Sequence, residues 1–135
     1  MSDFPVTVFH NPKCGTSRNA LAMVEQSGYA PRVVEYLKAG WTAEQLRGLL
    51  DRMGLKPADV LRRKEALAQE LGLLGEGVPD ETLLAAMVEH PILVDRPIVE
   101  TPKGVVLARP SEKVFQVLER APETFTKEDG EVVRP

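Results

Sequence analysis

A strand, a polar loop and a helix follow one another near the start of the chain, and this arrangement constrains the fold more than any other feature of the sequence. Residues 6–9 (VTVF) are β-branched or aromatic and predict a strand, which Pro12 ends because proline lacks the N–H that a β-ladder requires. Leu21 and Val24 then recur at helical spacing, and Gly28 stands where a C-terminal glycine cap is expected. The chain therefore turns from a strand into a helix within a few residues.

A second strand is predicted at residues 32–37 (RVVEYL), so the chain opens with a β-α-β unit whose strands pair in parallel. Further helices follow, one of them between a capping box that begins at Thr42 and a stop at Gly54. Residues 98–108 then indicate a β hairpin, and Ser111 caps a last helix. This order predicts an α/β fold: a mixed β-sheet flanked by helices, with a helical insertion in the middle of the chain.

One domain is expected, because 135 residues with 43% apolar content suffice for a single core. We place this domain at residues 4–120, its helical insertion at about residues 42–90, and a charged, loosely packed C-terminal tail at residues 121–135. Residues 1–5 lack the basic and apolar stretches of a signal peptide, and no segment reaches transmembrane length. A cytoplasmic protein with no membrane partner is therefore expected.

Cys14, the only cysteine of the chain, lies in the loop between the first strand and the first helix. Thr16 or Ser17 is the predicted N-cap, so the thiol is expected within about one turn of a helix N-terminus, where free N–H groups and the helix dipole favour an anion. Such surroundings lower the pKa of a cysteine and so favour the thiolate, which is the nucleophilic form. The neighbours are polar or charged, which favours a reactive cysteine over a buried structural one.

Four neighbours of Cys14 extend this chemistry. Lys13 and Arg18 add positive charge, and His10 could accept the proton of the thiol or hydrogen-bond to its anion. Gly15 lets a ligand approach the backbone closely. The loop therefore predicts a nucleophilic cysteine that meets an anionic ligand.

Several classes of protein are excluded by the sequence. A lone cysteine forms neither an internal disulfide nor a zinc-binding cluster, so redox chemistry at Cys14 requires an external thiol. His10 and His90 lack metal-ligand spacing, so no metal site is predicted. The glycine-rich motifs that bind nucleotide phosphates are absent, and a net charge of −3 argues against a nucleic-acid partner. Arg18 also follows Cys14 too closely for the phosphate loop of a low-molecular-weight tyrosine phosphatase.

Positive charge suited to an oxyanion is spread along the chain. Arg62, Arg96 and Arg109 stand at element ends or in loops, and a proline follows each of the last two. A guanidinium group offers a planar fork of donors that matches the oxygens of carboxylate, phosphate or arsenate. Spacing alone leaves two possibilities open for each of them, a ligand-binding arginine or an ordinary surface arginine.

Three motifs together closely resemble those of the glutaredoxin-coupled arsenate reductases. They are HNPKCGTSRN at residues 10–19, HPILVDRPIV at residues 90–99 and RPSE at residues 109–112, and the likeness runs from about residue 6 to residue 130. The resemblance implies a thioredoxin-like fold with a helical insertion, which agrees with the predicted order of elements.

The same resemblance implies roles for particular residues. It assigns the nucleophile to Cys14, with His10 as its nearby histidine. It assigns the binding of the oxyanion to Arg62, Arg96 and Arg109. The supporting residues of the site are then Gly15, Thr16, Ser17, Arg18 and Pro97, of which Pro97 is the cis-proline that faces the active cysteine in thioredoxin-like folds. Two departures from relatives are Arg63 beside Arg62, and Lys13 at a position that is often small and neutral.

The activity implied by the resemblance is the reduction of arsenate to arsenite. The Cys14 thiolate attacks arsenate, glutathione acts as co-substrate, glutaredoxin is the protein partner, and no cofactor stays bound. Two alternatives share the fold. A glutaredoxin-like thiol reductase acting on glutathione adducts needs no set of arginines, and an RNA polymerase-binding regulator usually switches through a second cysteine, where this chain has Ser17.

Overall fold

The structure is a computed structural model that describes residues 3–135. Its strands are β1 (Thr7–His10), β2 (Arg32–Glu35), β3 (Ile98–Thr101), β4 (Gly104–Leu107), β5 (Phe125–Thr126) and β6 (Val132–Val133). Its α-helices are α1 (Gly15–Gln26), α2 (Tyr36–Ala39), α3 (Ala43–Met53), α4 (Ala66–Glu70) and α5 (Asp80–Glu89), and 3₁₀ helices occupy Pro57–Val60, Pro91–Leu93 and Ser111–Val117. The chain divides into two compact units, one made of the residues up to Glu35 together with Arg96–Pro135, the other of Tyr36–Asp95.

The first unit is built on a four-stranded sheet in the order β2-β1-β3-β4. Val8 of β1 lies opposite Val33 of the parallel strand β2 and opposite Val99 of the antiparallel strand β3. Strand β4 pairs antiparallel with β3 and completes the predicted hairpin. The prediction of a mixed sheet with helices is therefore confirmed.

The core of this unit lies between the sheet and its helices. Helix α1 buries Ala20, Met23 and Val24, which are spaced along a single helical face. These side chains join apolar residues from the sheet, from the segment Ser111–Val117 and from strand β5. One short loop connects the central strand β1 to α1. Burial of this helical face therefore places the start of α1 next to the C-terminal end of β1.

The second unit is helical. Thr42 caps α3 by accepting a hydrogen bond from the N–H of Gln45 at 3.0 Å, and α3 ends at Gly54, whose φ of 68° is the left-handed conformation that glycine adopts without strain. Both ends agree with the sequence prediction. Helices α3 and α5 pack on each other, and each has buried leucines, Leu46 and Leu84 among them.

Two predicted elements differ in the structure. The second strand ends at Glu35 instead of continuing through residue 37, because Tyr36 begins α2, where its fully buried side chain donates a hydrogen bond to the carbonyl of Val94 at 2.7 Å. The last predicted helix is a 3₁₀ helix over Ser111–Val117, and its N-cap is Pro110, so the prediction that Ser111 caps it is wrong. The contact at Tyr36 is a tertiary one, which the local pattern does not encode.

The C-terminal tail is more ordered than its composition indicates. Strands β5 and β6 pair as a short antiparallel hairpin, with Phe125 opposite Val133. Phe125 is only 3% exposed and belongs to the core of the first unit. A single aromatic anchor in a polar segment gives no periodic signal, which is why the sequence pattern did not reveal it.

Within residues 3–135, none of the helices has both the length and the apolar character required to cross a membrane.

Candidate active site

Cys14 is the N-cap of α1 and is half-buried. The predicted N-caps, Thr16 and Ser17, are wrong, because the chain enters the helix earlier. A tight turn accounts for this: the side chain of Asn11 accepts the N–H of Lys13 at 3.0 Å, and its carbonyl accepts the N–H of Cys14 at 3.0 Å. The thiol therefore stands directly at the N-terminal end of the helix, where partial positive charge stabilises an anion.

Strand pairing brings Arg96 and Arg109 to the same end of the sheet as Cys14. Ile98 of β3 pairs with Leu107 of β4, so Arg96 just before β3 and Arg109 just after β4 leave the hairpin at its open end. Ile98 also pairs with Phe9 near the end of β1, which leads into the Cys14 loop. Residues 96, 109 and 14 are far apart in sequence and are brought together by this register.

A guanidinium group contacts the sulfur of Cys14. Nη1 of Arg109 lies 3.7 Å from Sγ, and the same nitrogen donates to the backbone carbonyl of Arg96 at 3.0 Å, which fixes the orientation of the group. Burial raises the pKa of the Cys14 thiol, but hydrogen bonds from the N–H of Ser17 and from the side chains of Arg96 and Arg109 outweigh it, so the net pKa lies below the ordinary value. The predicted lowering of the thiol pKa is thus supported by specific donors.

Arg96 itself is buried, with only 8% of its surface exposed. It precedes Pro97 across a cis peptide bond, as the resemblance implies, and the bond between Arg109 and Pro110 is also cis. A guanidinium group stays charged even when buried, so Arg96 brings a permanent positive charge into a poorly solvated place beside the thiol. An oxyanion bound there would meet that charge with little screening by water.

His10 contacts the thiol loop through Ser17. Its Nδ1 lies 2.6 Å from the hydroxyl oxygen of Ser17, which also accepts the backbone N–H of Asn11 at 3.1 Å. Both His10 and Ser17 are buried. Burial lowers the pKa of His10; Glu35 opposes this and Arg18 adds to it, so the ring is held in its neutral form near pH 7. Within the described chain, the hydrogen bond of the ring goes to Ser17, whereas the sequence predicts a partner at the thiol.

Arg18 is exposed and is paired with the tail. Its guanidinium donates two hydrogen bonds to the carboxylate of Glu128, at 2.9 and 3.0 Å, and a third to the carbonyl of Pro12 at 2.9 Å. The positive charge that the sequence assigns to the neighbourhood of Cys14 is therefore partly offset by Glu128. The hydroxyl of Ser111 donates to the carbonyl of Thr16 at 2.8 Å and connects the Arg109 segment to the first turn of α1.

Arg62 belongs to the second unit, where Nη1 pairs with the carboxylate of Asp95 at 2.9 Å and both side chains are about one-fifth exposed. Its part in binding an oxyanion stays a prediction. Arg63 donates a hydrogen bond to the carbonyl of Leu74 at 3.0 Å.

Two residues of the site, Asn11 and Glu128, were not predicted from the sequence. An Asn two residues before Lys13 is a recognisable turn signal, whereas the 110-residue separation between Arg18 and Glu128 gives no local signal.

Chemically, this geometry provides a half-buried thiol with a lowered pKa at a helix N-terminus, with two guanidinium groups hydrogen-bonded to it. Those are the requirements of a nucleophile that attacks an anion, because the anion must be held while a second negative charge approaches it. Among residues 3–135, no group of three or more His, Cys, Asp or Glu side chains is arranged to hold a metal ion.

The sheet order and the cysteine at the start of α1 define the class of thioredoxin-like thiol proteins. Within this class, residues 9–117 match the ArsC family, and the chain belongs to that family.

Curated relatives agree with this assignment. The chain is 52% identical over 134 residues to the arsenate reductase ArsI1 of Synechocystis sp., covering 98% of this chain and 93% of that one. It is 44% identical over 129 residues to the arsenate reductase of Escherichia coli K12, covering 95% and 92% of the two chains. Among solved structures, the arsenate reductase from Vibrio cholerae superposes with a TM-score of 0.83 at 40% identity, covering 87% of this chain and 100% of that one. The thioredoxin-like fold expected from the resemblance is confirmed.

Proposed function

We propose that this protein is an arsenate reductase that converts arsenate to arsenite, with Cys14 as its nucleophile. The observation that carries the proposal is the contact between Arg109 and the Cys14 sulfur at the N-terminus of α1, in a chain that belongs to the ArsC family. The lowered pKa of the thiol favours its nucleophilic thiolate form. Arg96 and Arg109 supply the donors and the charge that an oxyanion requires.

The first step is attack of the Cys14 thiolate on the arsenic atom of bound arsenate. A sulfur–arsenic bond forms, and one arsenate oxygen leaves as water after it is protonated. Hydrogen bonds from guanidinium groups accelerate this step to the extent that they strengthen as charge builds on the oxygens. We assign this role to Arg96 and Arg109 from their place beside the thiol, and to Arg62 from the resemblance.

The second step requires an external thiol, because the chain has no second cysteine. We propose glutathione: its sulfur attacks Cys14, a disulfide forms between the two, and the electron pair of the sulfur–arsenic bond leaves with arsenic. Arsenate is thereby reduced to arsenite while two thiols are oxidised. Glutaredoxin then takes up the glutathione of the mixed disulfide and frees Cys14. Glutathione enters as a co-substrate, and no resident cofactor takes part.

His10 and Ser17 have a supporting role in this scheme. His10 is neutral and buried, and it holds the hydroxyl of Ser17, whose backbone N–H faces the sulfur. We propose that the histidine acts on the thiol through the position of Ser17. The cytoplasmic location expected from the sequence stays a prediction.

A coupled assay tests the proposal. Purified protein is mixed with arsenate, glutathione, glutaredoxin, glutathione reductase and NADPH, and the oxidation of NADPH is followed. Oxidation that depends on arsenate, and that stops when either glutathione or glutaredoxin is left out, is expected. If glutaredoxin is dispensable, the reduction of arsenate stands and the proposed partner is wrong. If arsenate has no effect while a glutathionylated peptide is reduced, the protein is a thiol reductase of the same fold.

A further inference from the structure

The C-terminal hairpin places two neighbouring residues of opposite charge, Lys127 and Glu128, against two different segments beside Cys14. Glu128 binds Arg18 in the first turn of α1 through both carboxylate oxygens. Nζ of Lys127 lies 2.8 Å from Oε1 of Glu112, in the first turn of the 3₁₀ helix that follows Arg109. We refer to Lys127 and Glu128 as the clasp.

The Glu128 arm of the clasp holds the loop that carries the cysteine. Arg18 also donates to the carbonyl of Pro12, so its guanidinium links Glu128 to the loop that precedes Cys14. The backbone N–H of Glu128 donates to the side chain of Asn19 at 3.0 Å, so Glu128 is fixed by its main chain as well. The pair packs directly on Gly15, where an added Cβ would lie 3.6 Å from Nη2 of Arg18 and 3.7 Å from Oε1 of Glu128.

The Lys127 arm holds the segment that carries Arg109. The side chain of Lys127 is only 10% exposed and lies 3.3 Å from a carboxylate oxygen of Glu131 as well as 2.8 Å from Glu112. The ion pair with Lys127 lowers the pKa of Glu112, and the same pair raises the pKa of Lys127, so both stay charged over a wide range of pH. Glu112 is three residues from Arg109, so this arm acts close to the guanidinium that contacts the thiol.

The hairpin is itself anchored to the core. Phe125 of β5 is buried with α1 and with the Ser111–Val117 helix, two residues before Lys127. The N–H of Lys127 donates to the carbonyl of Glu131 at 2.8 Å and closes the turn of the hairpin. The clasp is therefore a fixed point to which both segments are bound.

We propose that Lys127 and Glu128 are positioning residues. They keep the Cys14 loop and the Arg109 segment in a fixed relative position, so that Nη1 of Arg109 remains in contact with the Cys14 sulfur. The Arg18–Glu128 pair is solvent-exposed, and an exposed pair contributes little to stability. Its effect on the site is geometric, since displacements of about 1 Å at reacting groups can lower a rate by about a hundredfold. The proposal deepens the proposed function, but its geometry depends only on residues of the first unit.

Glu128→Gln tests the Glu128 arm, with Glu123→Gln as the matched control because Glu123 is exposed in the same tail. The pH dependence of iodoacetamide alkylation gives the pKa of Cys14, and urea unfolding shows that each variant is folded. We expect the alkylation midpoint of Glu128→Gln to rise by about 0.3–1 pH unit, because a loosened loop weakens the contact with Arg109, and that of the control to stay at the wild-type value.

The direction of this shift separates the proposal from its alternatives. If Glu128 acted only through its charge, removing a negative charge near the thiol would lower the midpoint, and if it only stabilised the tail, the midpoint would not move. Either result would overturn the proposal. An Arg18→Met/Glu128→Gln double variant should show no larger shift than Arg18→Met alone, because Glu128 acts through Arg18; additive shifts would also overturn it.

The Lys127 arm supplies a second, independent test. Lys127→Met should raise the midpoint, and Lys127→Arg, which keeps the pair with Glu112, should restore the wild-type value; failure of the conservative variant to restore it would contradict this arm. In the coupled assay, Glu128→Gln should lower kcat/KM for arsenate about threefold to tenfold. If the wild-type protein does not reduce arsenate, the proposed function fails, while the alkylation midpoints still decide whether the clasp positions the thiol.

Discussion

Replacement of Arg109 by lysine separates geometry from charge at the candidate site. In the wild-type protein, Nη1 of Arg109 is held 3.0 Å from the carbonyl of Arg96 and 3.7 Å from the Cys14 sulfur. The remaining nitrogens of the planar group stay in a fixed relation to that atom. A lysine keeps the positive charge, but its single nitrogen cannot bond to the Arg96 carbonyl and present a fork to an oxyanion at the same time.

The size of the effect follows from the kind of bond that is lost. A hydrogen bond to a charged group contributes about 1.5–3 kcal/mol, which corresponds to a decrease of about 10-fold to 150-fold in kcat/KM for arsenate if the bond is made in the transition state. The decrease should appear in kcat as well as in KM, because the interaction strengthens as negative charge builds on the oxygens. The pKa of Cys14 should rise, because one of the donors that lower it is displaced.

Steady-state kinetics in the coupled assay measure the decrease, and iodoacetamide alkylation against pH measures the thiol. Arg47→Lys is the matched control, because Arg47 forms an exposed pair with Glu81 through two hydrogen bonds and exposed pairs contribute at most about 1 kcal/mol. Wild-type kinetics for Arg109→Lys, with the fold intact, would refute the assignment of Arg109 to the oxyanion site.

Three further predictions concern the cysteine and its buried neighbours. Cys14→Ser should abolish arsenate reduction and leave urea unfolding nearly unchanged, because a hydroxyl stays protonated at neutral pH; activity above a few per cent would contradict this. Ser17→Ala should lower the free energy of unfolding by about 1–3 kcal/mol in urea, since it leaves Nδ1 of His10 and the N–H of Asn11 buried without their partner, and an unchanged value would argue against that network. The free energy of unfolding should fall as the pH drops below about 6.5, because His10 takes up a proton more readily in the unfolded chain than in the folded one, where burial lowers its pKa. His10→Gln should reduce this dependence of the unfolding free energy on pH. An unchanged dependence in His10→Gln would assign the effect to other groups.

The fold was largely predictable because its signals are local. Alternating or continuous apolar residues predict β1, β3 and β4, and Thr42 and Gly54 mark the two ends of α3 through capping chemistry. The end of β2 was not predictable, because the sequence at Tyr36 is compatible with a strand, and the hydrogen bond of its buried side chain joins it to Val94, 58 residues away.

The candidate site was predictable in part for the same reason. The position of Cys14 at a helix N-terminus follows from local sequence, although the exact cap does not, because the turn made by Asn11 shifts it. The contact between Arg109 and Cys14 depends on a strand register that joins residues 95 apart in the chain. Spacing alone therefore did not decide whether the arginines bind a ligand, and only the resemblance assigned them that role. Glu128 lies outside the three motifs that carry the resemblance, so no pattern in the sequence assigns it to the site.

The central claim, that the Cys14 thiolate attacks arsenate and is then released by a second thiol, is tested most directly by intact-protein mass spectrometry. Protein is incubated with arsenate and glutathione while glutaredoxin is left out, and the mass of the chain is followed. The account predicts that one glutathione adds to Cys14 only when arsenate is present, and that Cys14→Ser stays unmodified. Absence of the adduct in active protein, or the same amount of adduct without arsenate, would contradict it.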